Sequence, residues 1–152
     1  MGSARAMERI LRVRAMEEEQ SQRALERASA ELAQLELALR TAGQRERRGR
    51  SLVQASAETG EMMDRVAGLE ESRSSRLKAQ ALTMRIEAKE SVVAGLRENY
   101  LKRRTSRMQA ETLTESEKRK AAADQLRTGQ QALDDWHLNR MRREGDAKGK
   151  GK

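Results

Sequence analysis

The residues of this chain that are best suited to catalysis or metal binding lie together near its C-terminus, in the stretch ALDDWHLNRMRR. It holds the only tryptophan, Trp136, and the only histidine, His137, directly after Asp134 and Asp135. An imidazole beside two carboxylates is the beginning of a metal site or of a general acid–base site. Both sites need further groups, and the chain has no second histidine and no cysteine. We therefore do not expect His137 to belong to a metal site or to a catalytic triad.

The other charged residues lead to the same expectation. A catalytic site needs convergent groups in a pocket, whereas the carboxylates of this chain fall on solvated faces of predicted helices. The C-terminal KGKGK lacks the residue spacing of a phosphate-binding loop. We therefore expect that the protein is not an enzyme and has no catalytic, cofactor-binding or metal-binding residues.

The composition predicts long helices. Charged residues make up 37% of the chain and aromatic residues 1%, so a thick globular core is not expected. High charge and low hydropathy also occur in disordered chains. However, the chain has no proline, and its commonest residues are strong helix formers. This combination is typical of coiled coils.

The cellular location and the classes of partner are limited by the charge, the cysteine content and the hydropathy of the chain. The absence of cysteine fits a reducing cytoplasm. No apolar run approaches the roughly 20 residues of a membrane span, and the N-terminus has no apolar signal region. The net charge of +8 is compatible with nucleic acid, acidic lipid or acidic protein partners. We expect a cytoplasmic protein.

Apolar residues repeat with the 3-4 spacing of a coiled-coil seam in two strong runs and two weaker ones. The strong runs are Leu25, Ala28, Leu32, Leu35, Leu39 and Ala42, and then Leu82, Ile86, Lys89, Val93, Leu96 and Tyr100. The first pattern fails through GQRERRGR, residues 43–50. It is expected to resume one position out of phase at Leu52, Ala55, Thr59, Met62, Val66 and Leu69. A weaker run comprises Ala122, Leu126, Gly129, Leu133 and Trp136.

The two strong runs predict an all-α fold in which two long helices form an antiparallel coiled-coil hairpin. Serine, threonine and glycine cluster at Ser56–Gly60, which predicts the turn, with a turn near Gly68 as the alternative. The first position sets Leu52 near Leu69, Leu39 near Leu82 and Leu25 near Leu96. The second helix is the longer one and extends past the hairpin beyond about residue 115. We expect one hairpin domain over residues 1–145 and a frayed, disordered basic tail over 146–152.

Two interpretations of Trp136 remain open at this stage. It continues the spacing of Leu126 and Leu133, so it could be a seam residue. In a helix without an intrachain neighbour, the same stripe would be exposed and suited to docking in a partner's groove. Nucleic-acid binding is a weaker possibility, because acidic residues are interleaved with the basic clusters and no aromatic platform for bases exists. The N-terminal MERILRVRAM also loosely fits a helix that lies on a membrane surface.

With ERILRVRAMEEEQ near its start and ALDDWHLNRMRRE near its end, the chain resembles the FliJ/YscO family of type III export stalk proteins. The informative part is Leu133, Asp134, Asp135 and Trp136, followed by Arg140. It is similar to the family's signature of an acidic pair, a large aromatic residue and an arginine before a basic tail. The resemblance covers most of the chain and is closer to the flagellar branch than to the injectisome branch.

The resemblance implies a stalk similar to the central subunit of rotary ATPases. Such proteins stand in the hexameric export ATPase ring, contact the cytoplasmic domain of the export gate protein and pass on export chaperones at the inner face of the cell membrane. Arg9, Arg12 and Arg14 and the C-terminal helix would enter the ring, and the hairpin tip would face the gate. The family's aromatic gate-contact positions have no counterpart here, so those residues are not assigned. The alternatives are an injectisome export component of the YscO type, a basic, nucleic-acid-associated coiled coil, and a generic scaffold that dimerises through its seams.

Overall fold

The computed structural model describes residues 2–151 and contains two helices. Helix α1 comprises Gly2–Thr59 and helix α2 comprises Met62–Gly149. The two helices pack against each other, and the second is the longer. The predicted all-α hairpin is thus confirmed.

Gly60 ends the first helix and starts the turn. Its φ of 73° lies in the left-handed region, which glycine adopts without steric cost. Its N–H donates to the carbonyl oxygen of Ser56 at 2.8 Å and so satisfies one of the last carbonyls of α1. The turn thus lies at the end of the expected segment Ser56–Gly60, and Gly68 lies inside α2.

The helices belong to two compact units, which are described separately. One unit is Met16–Arg104 and contains the turn, and we call it the tip unit. The other consists of the described parts of Met1–Ala15 and Thr105–Lys152, and we call it the terminal unit.

In the tip unit the two strong seams face each other. Their most buried members are Ala28 and Ala42 on α1 and Leu82, Ile86 and Val93 on α2. Ion pairs join the helices beside this core, among them Glu17–Arg103 at 3.1 Å, Glu31–Lys89, and Glu46–Arg76 at 3.3 Å. Each pair falls within about one residue of the register that the predicted turn at Ser56–Gly60 sets.

The predicted break and phase shift near the turn are wrong. The 3-4 spacing continues from Ala42 without interruption through a half-buried Glu46 and a buried Gly49 to a buried Ser56. Most of the residues assigned to the shifted seam are exposed instead: Ala55, Thr59, Met62, Val66 and Leu69. Glu46 is tolerated in the seam because its carboxylate pairs with Arg76 and, at 2.6 Å, with Arg50.

Small residues let the helices approach closely next to the turn. A Cβ built on Gly49 would lie 2.7 Å from both the carbonyl oxygen of Gly68 and the backbone nitrogen of Ser72. A Cβ on Gly68 would lie 2.7 Å from the carbonyl oxygen of Gly49. The contact is thus backbone against backbone, and no side chain fits between the two glycines.

In the terminal unit the start of α1 packs against α2 up to Lys118. Ala110 and Thr114 are buried there, and the Thr114 hydroxyl donates to the carbonyl oxygen of Ala110 at 2.7 Å. Lys118 pairs with Glu8 at 3.4 Å. Leu11 is half-buried, so it carries the seam in this part of α1.

The C-terminal boundary differs from the expectation. Helix α2 continues through Gly149, whereas a disordered tail was predicted from residue 146. The Lys150 N–H donates to the carbonyl oxygen of Asp146 at 3.2 Å, which prolongs the helical hydrogen-bond pattern. Ala147 and Lys148 are good helix formers, and this favours the continuation. Residue 152 lies outside the described residues.

The Lys89–Glu31 pair predicts a pH dependence of stability. A hydrogen bond from Lys89, and then its charge, lower the pKa of Glu31 from its ordinary value. A lowered folded-state pKa contributes stability above the unfolded value of 4.5, and this contribution is lost as the pH falls through the folded value. We expect Lys89→Leu to lose less stability than the wild type between about pH 5 and pH 3. Urea unfolding at several pH values measures this, with Lys102→Leu at an exposed position as the control. Equal acid slopes for the wild type and Lys89→Leu would contradict the prediction.

Candidate partner-docking site

Among the described residues, no other element covers the chain beyond Lys118. Residues 118–149 of α2 and the two residues 150–151 that follow it, which we together call the overhang, are all exposed. The overhang carries the weaker apolar run of the sequence, which we call the docking stripe: Ala122, Leu126, Gly129, Leu133 and Trp136. Leu133 is 67% exposed and Trp136 is 57% exposed. Large apolar side chains in a row on an unaccompanied helix are typical of a docking surface.

The docking stripe does not continue the seam that packs against α1. Ala110, Thr114 and Glu117 mark the face of α2 that meets α1 in the terminal unit. Continued at the same spacing, this face passes through Ala121, Asp124, Thr128, Gln131 and Asp135, which are mostly polar. At about 100° per residue, the docking stripe lies roughly 120° around the helix from that face. Seam packing against α1 therefore does not explain Trp136, and its docking to a partner stays a prediction.

The indole of Trp136 has charged and aromatic neighbours on its own helix. The guanidinium carbon of Arg140 lies 5.4 Å from the indole centroid, within cation–π range. Arg140 also pairs with Glu144 at 3.2 Å. The His137 ring lies 5.9 Å from the indole, centroid to centroid. Among residues 2–151, no group of three or more His, Cys, Asp or Glu side chains could hold a metal ion.

The predicted site residues form two groups, which the structure does not bring together. Leu133, Asp134, Asp135, Trp136 and Arg140 are all exposed on the overhang. The second group lies on α1, where Arg9 and Arg12 are exposed and Arg14 is half-buried.

The distance between the two groups follows from helix geometry. The start of α1 accompanies α2 only as far as Lys118, through its ion pair with Glu8. Leu133 lies 15 residues further along α2, or about 22 Å at 1.5 Å per residue. A partner that contacts both groups must therefore span this length of helix.

A second exposed apolar surface lies beside the turn in the tip unit. Met62, Met63, Val66, Ala67 and Glu70 line a shallow hollow of about 470 Å³, and we call these residues the tip patch. Met63 is 84% exposed. The sequence interpretation missed this surface because it assigned Met62 and Val66 to the seam. An unbroken 3-4 spacing through residues 43–50 would have left both residues outside the seam.

The tip patch lies in an acidic segment of a basic protein. Residues 55–72 contain five acidic residues and one basic residue, a net charge of −4. A hydrogen bond with Asp64, and then the charge of Asp64, raise the pKa of Glu61, as expected for crowded carboxyl groups. A basic partner surface would relieve this repulsion.

Comparisons with known proteins add no relative. No family model, no curated protein and no solved structure matches the chain. Within the described residues, no helix is both long and apolar enough to cross a membrane. A functional interpretation therefore depends on the residues and on the surfaces described above.

Proposed function

We propose that this protein is a non-enzymatic stalk of a bacterial type III protein export apparatus, of the flagellar kind, and an escort for export chaperones. The observation that carries the proposal is the overhang, an unaccompanied helix with an exposed Leu133–Trp136 stripe on a helical hairpin. The resemblance of LDDWHLNR to the FliJ/YscO signature is the reason for proposing the type III export apparatus in particular. In this proposal the overhang and the segment with Arg9, Arg12 and Arg14 dock in the hexameric export ATPase.

The charge of the overhang supports a ring partner. Residues 118–151 contain nine basic and five acidic residues, a net charge of +4, which suits an acidic lumen. A single hairpin inside a sixfold ring cannot make equivalent contacts with all subunits. Weak, exposed charge contacts allow it to move between subunits, because surface ion pairs contribute little individually.

The tip patch supports a second contact, with the cytoplasmic domain of the export gate protein. Methionine-rich surfaces adapt to partners of varied shape because the side chain is flexible and polarisable. The family's aromatic gate-contact residues are absent here, and Met62, Met63 and Val66 offer apolar area in their place. This contact would bring the protein to the inner face of the cell membrane as a peripheral component.

The proposal predicts a gain of ATPase assembly. We expect that adding this protein to its cognate export ATPase increases hexamer formation and ATP turnover at subsaturating ATPase concentrations, because a stalk that binds several subunits favours the ring by mass action. Sedimentation velocity and steady-state turnover measure the two effects. Unchanged hexamer content and unchanged turnover at saturating protein would refute the stalk role.

The basic overhang favours one other function, association with nucleic acid. A salt titration of binding to random duplex DNA separates the two, because phosphate contacts weaken steeply with salt. Tight, steeply salt-dependent binding to DNA together with no effect on the ATPase would favour the nucleic-acid function. An injectisome export component would instead stimulate an injectisome ATPase in the same assay.

A further inference from the structure

The chain carries two exposed apolar surfaces of opposite charge. The tip patch lies in a segment of net charge −4, and the docking stripe lies on an overhang of net charge +4. Among the described residues of its own unit, no other element covers either surface. Electrostatic complementarity of this kind steers association and fixes its orientation.

The two surfaces also match in chemistry. The tip patch is a shallow, open hollow along one helix, α2, so an aromatic side chain can pack against it from outside. Trp136 is the only large aromatic side chain of the overhang. Met62 and Met63 supply thioethers, and these make favourable contacts with aromatic rings. Glu70 lies at the same hollow and can accept from Arg140, which accompanies the indole.

We propose that two copies of this chain associate head to tail, the Trp136 stripe of one copy docking on the tip patch of another. The indole enters the hollow lined by Met62, Met63 and Val66, and Arg140 exchanges Glu144 for Glu70 of the other copy. Symmetric pairing of two overhangs is disfavoured, because it sets the basic residues 118–120 and 140–143 of the two copies against each other in either orientation. The inference does not depend on the proposed function.

A head-to-tail contact leaves one free surface of each kind at the ends of every assembly. Such a heterologous interface builds open chains of copies, unless the rotation between successive copies closes the assembly into a ring. The assembly also covers both surfaces that would bind other proteins. It thus makes self-association and partner binding mutually exclusive at each surface.

Complementation between two variants tests the inference on the full chain. Met63→Glu inactivates the tip patch, and Trp136→Glu inactivates the docking stripe; both positions are exposed, so the helices persist, as circular dichroism would verify. In sedimentation velocity at low salt, we expect the wild type to form dimers and longer chains as its concentration rises. We expect each variant alone to stay monomeric, and a 1:1 mixture to form dimers and nothing larger, because only one functional contact is left per pair.

The controls make each outcome decisive. Met84→Glu, at an exposed position outside both surfaces, should associate like the wild type. Raising the salt concentration to about 0.5 M should weaken association by about tenfold or more. A monomeric wild type at several hundred micromolar would overturn the inference, as would self-association of either variant alone. A mixture that stays monomeric would also overturn it.

Discussion

Gly49→Ala is expected to lower the free energy of unfolding by about 1–3 kcal/mol, the usual cost of overpacking. In an ordinary helix the same change would stabilise, because alanine has the higher helix propensity. At this position the new Cβ would lie 2.7 Å from the carbonyl oxygen of Gly68 and from the backbone nitrogen of Ser72. Both neighbours are backbone atoms, which cannot rotate away, so the two helices must separate next to the turn.

Gly95→Ala is the matched control for this prediction. Gly95 lies in α2 with no atom within 4 Å of a Cβ built on it, so the change should raise the free energy of unfolding by roughly 0.5–1 kcal/mol. Urea denaturation followed by helix content, at a concentration where the chain is monomeric, gives both values. Equal effects at Gly49 and Gly95 would mean that the helices do not touch at Gly49.

The centre of the hairpin was predictable from the sequence for a simple physical reason. Leu82, Ile86 and Val93 are large, repeat regularly and face a second run of the same kind, and the turn at Gly60 sets which register of the two runs is adopted. The close packing next to the turn was not recognised, because Gly49 and Ser56 are small and look like interruptions of an apolar pattern. Their burial depends on the distance between the two helices, and a pattern of hydropathy along the sequence carries no information about that distance.

The site was predictable in part. The sequence identified the overhang and Trp136, because the second helix is too long for the first to accompany it. It did not decide between seam packing and docking. That choice depends on the angle around α2 between the docking stripe and the face that meets α1, and the buried Ala110 and Thr114 mark that face only in the structure. The tip patch was missed for the opposite reason, because large side chains at Met62 and Val66 were taken as core.

Under the proposed function, Trp136→Ala is expected to weaken binding to the export ATPase by more than ~1 kcal/mol, about fivefold or more in Kd, as for an aromatic interface anchor. The indole is exposed in the free chain, and its ring contacts among the described residues are with Arg140 and His137 of the same helix. Its removal should therefore change the free energy of unfolding by less than about 0.5 kcal/mol. The loss of affinity would then reflect a contact made only in the complex. Titration calorimetry measures the affinity, and circular dichroism measures the helix content.

Leu77→Ala separates docking from a general loss of apolar surface. Leu77 is 59% exposed, close to the exposure of Trp136, but it lies in α2 away from both the docking stripe and the tip patch. It should leave the affinity unchanged, while Leu133→Ala should weaken it in the same direction as Trp136→Ala. A broad loss of helix content in Trp136→Ala would make Trp136 a packing residue, and equal losses of affinity in Trp136→Ala and Leu77→Ala would remove the overhang as the docking element. Because the docking stripe and the seam lie on different faces of α2, the exposed stripe can be altered without altering the packing between the helices.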